Sequence, residues 1–364
     1  MVKRRTVLLG SGAALLATTG LGFGFGNMGS LKEYNEAMAK LRAPAQRSPD
    51  VLDLVRQAAL AANSHNTQAW RFKIGRKAIE ILPDFTRQTP AVDPDNHHLY
   101  ASLGCAAANL DLAAQAAGLS GELSFDGKND GSLVFTLGNT RIQESAMSLA
   151  ITKRQSTRAE YDGKPVSPDD LQQLVKAASV PGVDLILITA RPQIDKVRDL
   201  VLASNTKQIA DSAFVRELKN WLRFNPRSAL LAGNGLFSAT SGNPSLPDWL
   251  GPIVFDWFFS AKAENEKYVR QINSSFGIAV FFAEKNDPEH WVLAGRACQR
   301  FALEATAQGL KHAFINQPVE VPEFRPELAN LAGMPGRRPD IVMRFGYGPQ
   351  LPYSPRLPLA KIMA

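Results

Sequence analysis

Two arginines and a serine at alternate positions form the segment with the clearest chemical potential. The segment reads Arg154-Gln-Ser-Thr-Arg158. On an extended or turn backbone, alternate side chains share one side, so Arg154, Ser156 and Arg158 can converge on one anionic group. Guanidinium groups hold anions through charge-assisted hydrogen bonds, which are among the strong ones in proteins. The spacing indicates an anion site, although such a string alone is also typical of a solvated basic loop.

A polar segment in the first part of the chain offers several hydrogen-bonding side chains. Ser64, His65, Asn66 and Gln68 follow one another closely after an apolar helical pattern. These residue types favour turn backbones and cap helix ends, so a helix-terminating turn and a ligand-binding loop are both open. His65 is equally consistent with a structural histidine.

Several other kinds of site have no support in the sequence. No Ser/His/Asp triad or paired carboxylate is evident, so hydrolysis is disfavoured and no catalytic residue is assigned. The five histidines and the two cysteines, Cys105 and Cys298, show no metal-ligand spacing, so no metal site is predicted. Each cysteine lies in an Ala-rich helical pattern, which favours two buried thiols over a disulfide. A net charge of +7 without a basic run or a nucleic-acid-binding motif argues against nucleic acid.

The elements that must position these segments can be read from helix and turn signals. Ser48-Pro49-Asp50 supplies an N-cap, a proline at the first helical position and an acid, which predicts a helix from about 50 to 62. Trp70 to Ile74 alternates like a strand. A start of the same kind appears at Ser167-Pro168-Asp169.

The chain contains an internal duplication. Residues 54–58 and 174–178 match closely, and the Ala-rich stretches that begin at Gly104 and Gly295 both end in Gly-Leu at a constant offset of 191 residues. We predict two fused halves, residues 28–148 and 149–364. The second half carries an insertion at about 192–275, which is typical of a cap or binding loop.

The first 27 residues form a separate leader. Lys3, Arg4 and Arg5 precede a Gly-, Ala- and Leu-rich stretch, which resembles a twin-arginine export signal. A membrane tether is the alternative, although the glycines weaken a spanning helix. We therefore predict a periplasmic or other extracytoplasmic location, and cleavage of the leader stays open.

Several motifs, and their order along the chain, resemble those of the nitroreductase superfamily. The match is to its tandem branch, which is typified by Acg proteins. Arg154 to Arg158 is similar to the family's Arg-x-Ser-x-Arg, and residues 62–72 are similar to its Ser-x-Asn-x-Gln-Pro-Trp-x-Phe signature, with Ala69 where proline is usual. The terminal residues 344–348 and 355–359 resemble its last strand and basic tail. The resemblance covers roughly residues 40–364. It implies an α+β fold in which each half has a mostly antiparallel sheet flanked by helices, forming a single-chain pseudo-dimer.

The resemblance also implies FMN as the cofactor and a role for each candidate residue. In that family these segments face each other across a dimer interface around the flavin. By that likeness Arg154, Ser156 and Arg356 bind the phosphate, and Arg158 faces the N1/C2 edge of the ring. Ser64, His65, Asn66 and Gln68 line the ribityl chain and the ring from the opposite half. Asn316 follows the second Gly-Leu helix, where members of the family place backbone groups near the flavin ring.

Each half of the chain keeps a different part of this site. The first half has the polar loop but no Arg-x-Ser-x-Arg, whereas the second half has the reverse. We therefore predict one FMN per chain, because a homodimer would have two equivalent sites. The expected activity is FMN-dependent reduction of a small organic acceptor by an unknown electron donor. A flavin-sequestering protein with little turnover and a cofactor-free scaffold are the alternatives.

Overall fold

The computed structural model describes residues 27–44, 50–128 and 130–364. The predicted leader lies outside this part of the chain, as do Ser48 and Pro49. Within the described residues, no helix has the length and apolar character needed to cross a membrane.

The first half combines one antiparallel sheet with helices on its faces. Its sheet has the strand order β1-β2-β5-β4, and every neighbouring pair is antiparallel. The elements are α1 (Leu31–Leu41), α2 (Val51–Ala58), β1 (Trp70–Ile74), β2 (Ala78–Pro83), α3 (His97–Ala116), β3 (Leu119–Ser120), β4 (Leu123–Asp126), β5 (Ser132–Thr136), β6 (Gly138–Asn139) and α4 (Ala146–Ala150).

The second half repeats this plan and then enlarges it. Its sheet has the order β11-β12-β10-β7, again antiparallel throughout. The elements outside the enlargement are α5 (Pro168–Ala177), β7 (Val183–Ile188), β10 (Gly277–Ala283), α11 (Pro288–Ala307), β11 (Lys311–Phe314), α12 (Gln317–Glu320), α13 (Arg325–Leu331) and β12 (Ile341–Gly346).

The two halves share one topology, which confirms the predicted α+β fold of fused half-copies. In each half a short helix precedes two strands, a long helix and two further strands, and the strands take the same spatial order. The long helices α3 and α11 pack on each other. A Cβ on Gly104 would come within 2.0 Å of the Val292 carbonyl oxygen, and one on Gly295 within 1.9 Å of the Ala101 oxygen. These reciprocal contacts mark a pseudo-two-fold crossing that only glycine permits.

The enlargement lies between β7 and β10, where the first half has only the short turn between β1 and β2. It corresponds to the insertion predicted at about 192–275. It contains α6 (Arg191–Ala210), α7 (Ser212–Trp221), β8 (Leu222–Arg223), α8 (Pro226–Ala232), β9 (Leu236–Phe237), α9 (Gly251–Phe258) and α10 (Ala261–Asn273).

The helix predicted at 50–62 is shorter than expected and has a different cap. Asp50 is the N-cap and accepts a hydrogen bond from the Asp53 amide, so the expectation of Ser48 in this role is wrong. Regular helix ends at Ala58, and Arg356 donates to the carbonyl oxygens of the three residues that follow. At the second start, Ser167 caps α5 with Pro168 at the first turn, as predicted. Both cysteines are buried, reduced and mid-helix.

Candidate functional site

A cavity of about 510 Å³ lies where the two halves and the insertion meet. The first half contributes the loop around Ser64 and one face of α3, including Ala101 and Cys105. The second half contributes Arg158, Asn316 and residues of α10 and α12. A volume of this size lies within the range of small-molecule and cofactor sites.

Left-handed backbone conformations shape the polar loop and point part of it into the cavity. His65 has a φ of 43°, and Asn66 and Gln68 have a φ of 55°. Ser64 donates its amide to Ser102 Oγ of α3 at 3.3 Å, and the Gln68 amide donates to Asn63 Oδ1 at 2.9 Å. Ser64 and His65 line the cavity. Non-glycine residues in this conformation are uncommon and occur at functional loops.

Asn66 and Gln68 point away from the cavity and hold the end of the chain instead. Asn66 Nδ2 donates to the carbonyl oxygens of Gly235 and Pro355, each at 3.0 Å. Gln68 Nε2 donates to Gly233 O, and its Oε1 accepts from the Leu357 amide. The loop therefore fastens both the insertion and the C-terminal segment to the first half, and a direct flavin contact by these two side chains stays a prediction.

Two buried arginines, Arg154 and Arg356, donate to the carbonyl oxygens that follow α2, and a third buried arginine, Arg42, lies beside them. Arg154 Nη2 and Arg356 Nη2 both donate to Leu60 O at 3.1 Å. Arg356 also donates to Asn66 Oδ1 at 2.7 Å, and Arg42 donates to the carbonyl oxygen of Arg154. The hydrogen bonds of these guanidiniums within the described chain all end on uncharged oxygens. We call Arg42, Arg154 and Arg356 the arginine cluster.

The arginine cluster carries buried charge that the described residues do not neutralise. Burial lowers the pKa of all three side chains, and the neighbouring guanidiniums lower the pKa of Arg42 and Arg356 further. Arg154 Nε and Nη1 and Arg42 Nε are buried without a hydrogen-bond partner among the described residues. Buried donors and cations of this kind are costly unless an anion pairs with them. The cluster is therefore suited to an anionic ligand.

The remaining residues of the basic segment sit along the edge of the second sheet. Ser156 forms a parallel bridge with His312 of β11, which keeps the segment extended. Arg344 is fully buried and donates to the carbonyl oxygens of Thr157 and Ala159, on either side of Arg158. The Arg158 side chain lines the cavity, and burial lowers its pKa. Arg344 thus acts as a positioning residue for Arg158, which the sequence signalled only as part of a strand.

A polar corner of the cavity escaped the sequence analysis. His98 of α3 lies 3.5 Å from Glu320 of α12, and Gln208 donates to Glu320 at 2.7 Å. Burial works to lower the pKa of His98, but Glu320 and Asp93 outweigh it and raise the pKa. Burial works to raise the pKa of Glu320, but hydrogen bonds from His98 and Gln208 and the nearby imidazoles together outweigh it and lower the pKa. The pair lies at the seam between the halves, and neither residue lies in a recognisable motif.

Asn316 and the insertion complete the walls. Asn316 lines the cavity, precedes α12 and accepts a hydrogen bond from the Val342 amide at 2.8 Å. The insertion supplies an apolar wall over the site, which we call the roof. It consists of Phe214, Leu218, Leu222, Phe224, Leu236, Phe237, Leu246, Val254, Phe255, Phe258 and Phe259.

Comparison with known proteins shows which family the chain is related to. The nitroreductase family matches residues 151–348, which is more than half of the chain and includes Arg154, Ser156 and Arg158. The chain belongs to the nitroreductase family. This assignment confirms the resemblance found in the sequence at the level of the family. The matched residues end before Arg356 and do not include the polar loop of the first half.

The individual relatives and solved structures described next have low sequence identity to this chain. A Mycobacterium tuberculosis protein, named as a candidate NAD(P)H nitroreductase, is 26% identical over 83% of this chain and 88% of its own length. Among solved structures, an FMN-dependent nitroreductase of Mycobacterium smegmatis in complex with NADPH is 13% identical, with a TM-score of 0.40 over 59% of this chain and 96% of its own. A Desulfitobacterium hafniense nitroreductase with bound FMN is 16% identical, with a TM-score of 0.37 over 59% and 95%.

Proposed function

We propose that this chain is an FMN-dependent oxidoreductase of nitroreductase type that holds one FMN between its two halves. The observation that carries the proposal is the arginine cluster. Arg154 and Arg356 of the second half meet the Leu60 carbonyl of the first half. None of the three arginines lines the cavity itself; they lie behind its wall, where Ala62 follows the Arg356-bonded residues and Cys105 neighbours Arg154. A phosphate bound by the arginine cluster would contact both halves of the chain. The sequence requires such a shared site, because each half keeps a different part of the family's motifs.

The residues at hand fit the chemistry of FMN. The free Arg154 Nε and Nη1 and Arg42 Nε offer charge-assisted donors that suit a phosphate. Arg158 offers a positive charge in the cavity for the polar edge of the ring. Ser64, His65 and Asn316 supply polar wall groups for the remainder. Ser156, in the same extended segment, is a further candidate for the phosphate.

FMN supplies hydride and electron transfer, while the chain controls charge, protons and water around it. Arg158, which lines the cavity, would favour negative charge on the polar edge of a bound flavin and would thereby stabilise its reduced form. His98 lines the cavity 3.5 Å from Glu320, and Glu320 and Asp93 raise its pKa, so it is the group that serves in this proposal as the proton source at the cavity wall. The roof gives this part of the cavity an apolar wall, which would limit the access of water to the reacting groups.

The acceptor and the location belong to the same proposal. The apolar roof favours a small aromatic or quinoid acceptor over a highly charged one. We also propose that the chain works as a monomeric pseudo-dimer of the tandem, Acg-like type, exported through its twin-arginine leader. The named mycobacterial relative favours NAD(P)H as a donor to try first, whereas export favours another donor, because nicotinamide nucleotides are not freely available outside the cytoplasm.

A second candidate function follows from the roof. The insertion places eleven apolar residues over the cavity, an arrangement that also suits retention of a cofactor with little turnover. Purified protein should be yellow with close to one FMN per chain under both functions. Oxidation of NAD(P)H with nitroaromatic or quinone acceptors then separates them. If yellow protein turns over neither with NAD(P)H nor with a chemical reductant as donor, the sequestering function replaces the enzymatic one, and a colourless protein refutes both.

A further inference from the structure

Exposed aromatic side chains concentrate on one part of the insertion. Half of the exposed large hydrophobic side chains in the described residues lie between Leu230 and Phe258. Trp257 is 75% exposed, Phe258 70% and Trp249 53%. Single exposed apolar residues are ordinary, but a cluster of large aromatics marks an interaction surface. We call Trp249, Ile253, Trp257 and Phe258 the aromatic face.

The aromatic face carries no uncompensated charge on its own helix. The one charged residue of α9 is Asp256, which pairs with Lys219 of α7 at 2.7 Å. Lys262 is exposed just beyond the helix end. A Trp- and Phe-rich surface of this kind, bordered by Lys262 on one side and by Asp248, which accepts a hydrogen bond from Asn225, on the other, matches the interfacial zone of a bilayer, where aromatic rings lie at headgroup depth.

The start of the described chain comes to the same part of the molecule. The Met28 carbonyl accepts a hydrogen bond from the Arg227 amide at 2.8 Å, in the first turn of α8. Asn225, the cap of α8, donates to Asp248 at 2.8 Å, directly before Trp249. The preceding residues 1–26 are basic and then apolar in sequence. A segment of that composition therefore joins the fold beside the aromatic face.

We propose that the aromatic face docks on the surface of a lipid bilayer that contains anionic lipids. Trp257 and Phe258 enter the interfacial zone, and the positive net charge of +7 adds attraction to the anionic headgroups. Phe258 and Val254 also line the cavity, so docking turns the mouth of the cavity toward the membrane. This goes beyond the proposed redox function and does not depend on it.

The test uses the full chain with phosphatidylglycerol–phosphatidylethanolamine vesicles. Iodide quenching of tryptophan fluorescence is measured with and without vesicles, and a Trp257→Phe variant assigns the signal of Trp257. We expect vesicles to protect Trp257 from iodide. Cosedimentation should show at least about tenfold weaker partitioning for the double variant Trp257→Ser/Phe258→Ser, because most of the anchoring apolar surface is lost.

Matched controls separate this surface from the leader and from self-association. Ile142 is 64% exposed in the first half, so Ile142→Ser removes a comparable surface residue and should leave partitioning unchanged. Binding with Trp257 still fully open to iodide means that the leader alone attaches the protein, and this overturns the proposal. A dimer in sedimentation that Trp257→Ser dissolves makes the face a contact between copies, which also overturns it. None of these readouts requires flavin or turnover.

Discussion

Replacing Arg154 by methionine should separate cofactor binding from folding. Methionine keeps much of the volume but removes the charge and the donors. The Leu60 carbonyl stays partnered, because Arg356 Nη2 also donates to it at 3.1 Å. The change relieves the burial of one unpaired guanidinium and its repulsion of Arg42 and Arg356. We therefore expect the apoprotein to be as stable as the wild type or more stable.

The effect on FMN binding follows from the two free nitrogens of Arg154. Each hydrogen bond to a charged group contributes about 1.5–3 kcal/mol, so two of them give about 3 kcal/mol or more. FMN affinity should fall about 100-fold or more, since about 1.4 kcal/mol corresponds to a factor of ten. In wild type, FMN at about 100 times its Kd stabilises the fold by about 2.7 kcal/mol. A chain of this size then gains roughly 4 °C in Tm, and the variant should gain less than about 1 °C.

The assay is thermal unfolding of apoprotein with and without FMN, alongside fluorescence titration of FMN. Arg344→Met is the matched control, because Arg344 is equally buried but donates to Gln271, Ser275, Thr157 and Ala159. This control should lower the Tm of the apoprotein itself. An Arg154→Met apoprotein that loses several degrees, or one that keeps wild-type FMN affinity, would refute the assignment of the arginine cluster to the phosphate.

Three further outcomes are expected. The raised pKa of His98 means that its stabilising pairing with Glu320 is complete below about pH 6.5, as long as Glu320 stays ionised, and is lost as the pH rises through the folded-state pKa of His98. Glu320→Gln should flatten this part of the Tm–pH curve, and an unchanged slope would exclude the pair. Gly104→Ala should lower the free energy of unfolding by about 3 kcal/mol or more in urea titrations, because its Cβ would lie 2.0 Å from Val292 O. In the control Gly127→Ala the Cβ meets only an ordinary contact at 3.7 Å, so this change should cost about 1 kcal/mol or less. Flavin released by heat and measured against protein should give close to one FMN per chain; a ratio near two would contradict the divided site.

The duplication and the class of fold could be predicted from the sequence because both depend on local patterns. Helix starts at capping residues, the Gly-Leu ends of the long helices and strand alternation each reflect the backbone within a few residues. The offset of 191 between Gly104 and Gly295 reappears in the structure as the reciprocal crossing of α3 and α11. The roles proposed for Arg154 and Ser64 rest on short motifs that resemble those of the family, and they stay predictions.

Only the tertiary structure decided which of these groups face the cavity. Ser64 and His65 of the polar loop line the cavity, whereas the next two candidates do not. Asn66 and Gln68 donate instead to carbonyl groups of the insertion and the C-terminal segment. Arg42 joins the arginine cluster without any motif, through the carbonyl oxygens of Thr152 and Arg154. His98 and Glu320 meet although 222 residues separate them. Contacts of this kind depend on how segments far apart in the sequence pack together. The type and spacing of side chains indicate whether a residue is buried or polar, but they do not identify the residue that it contacts.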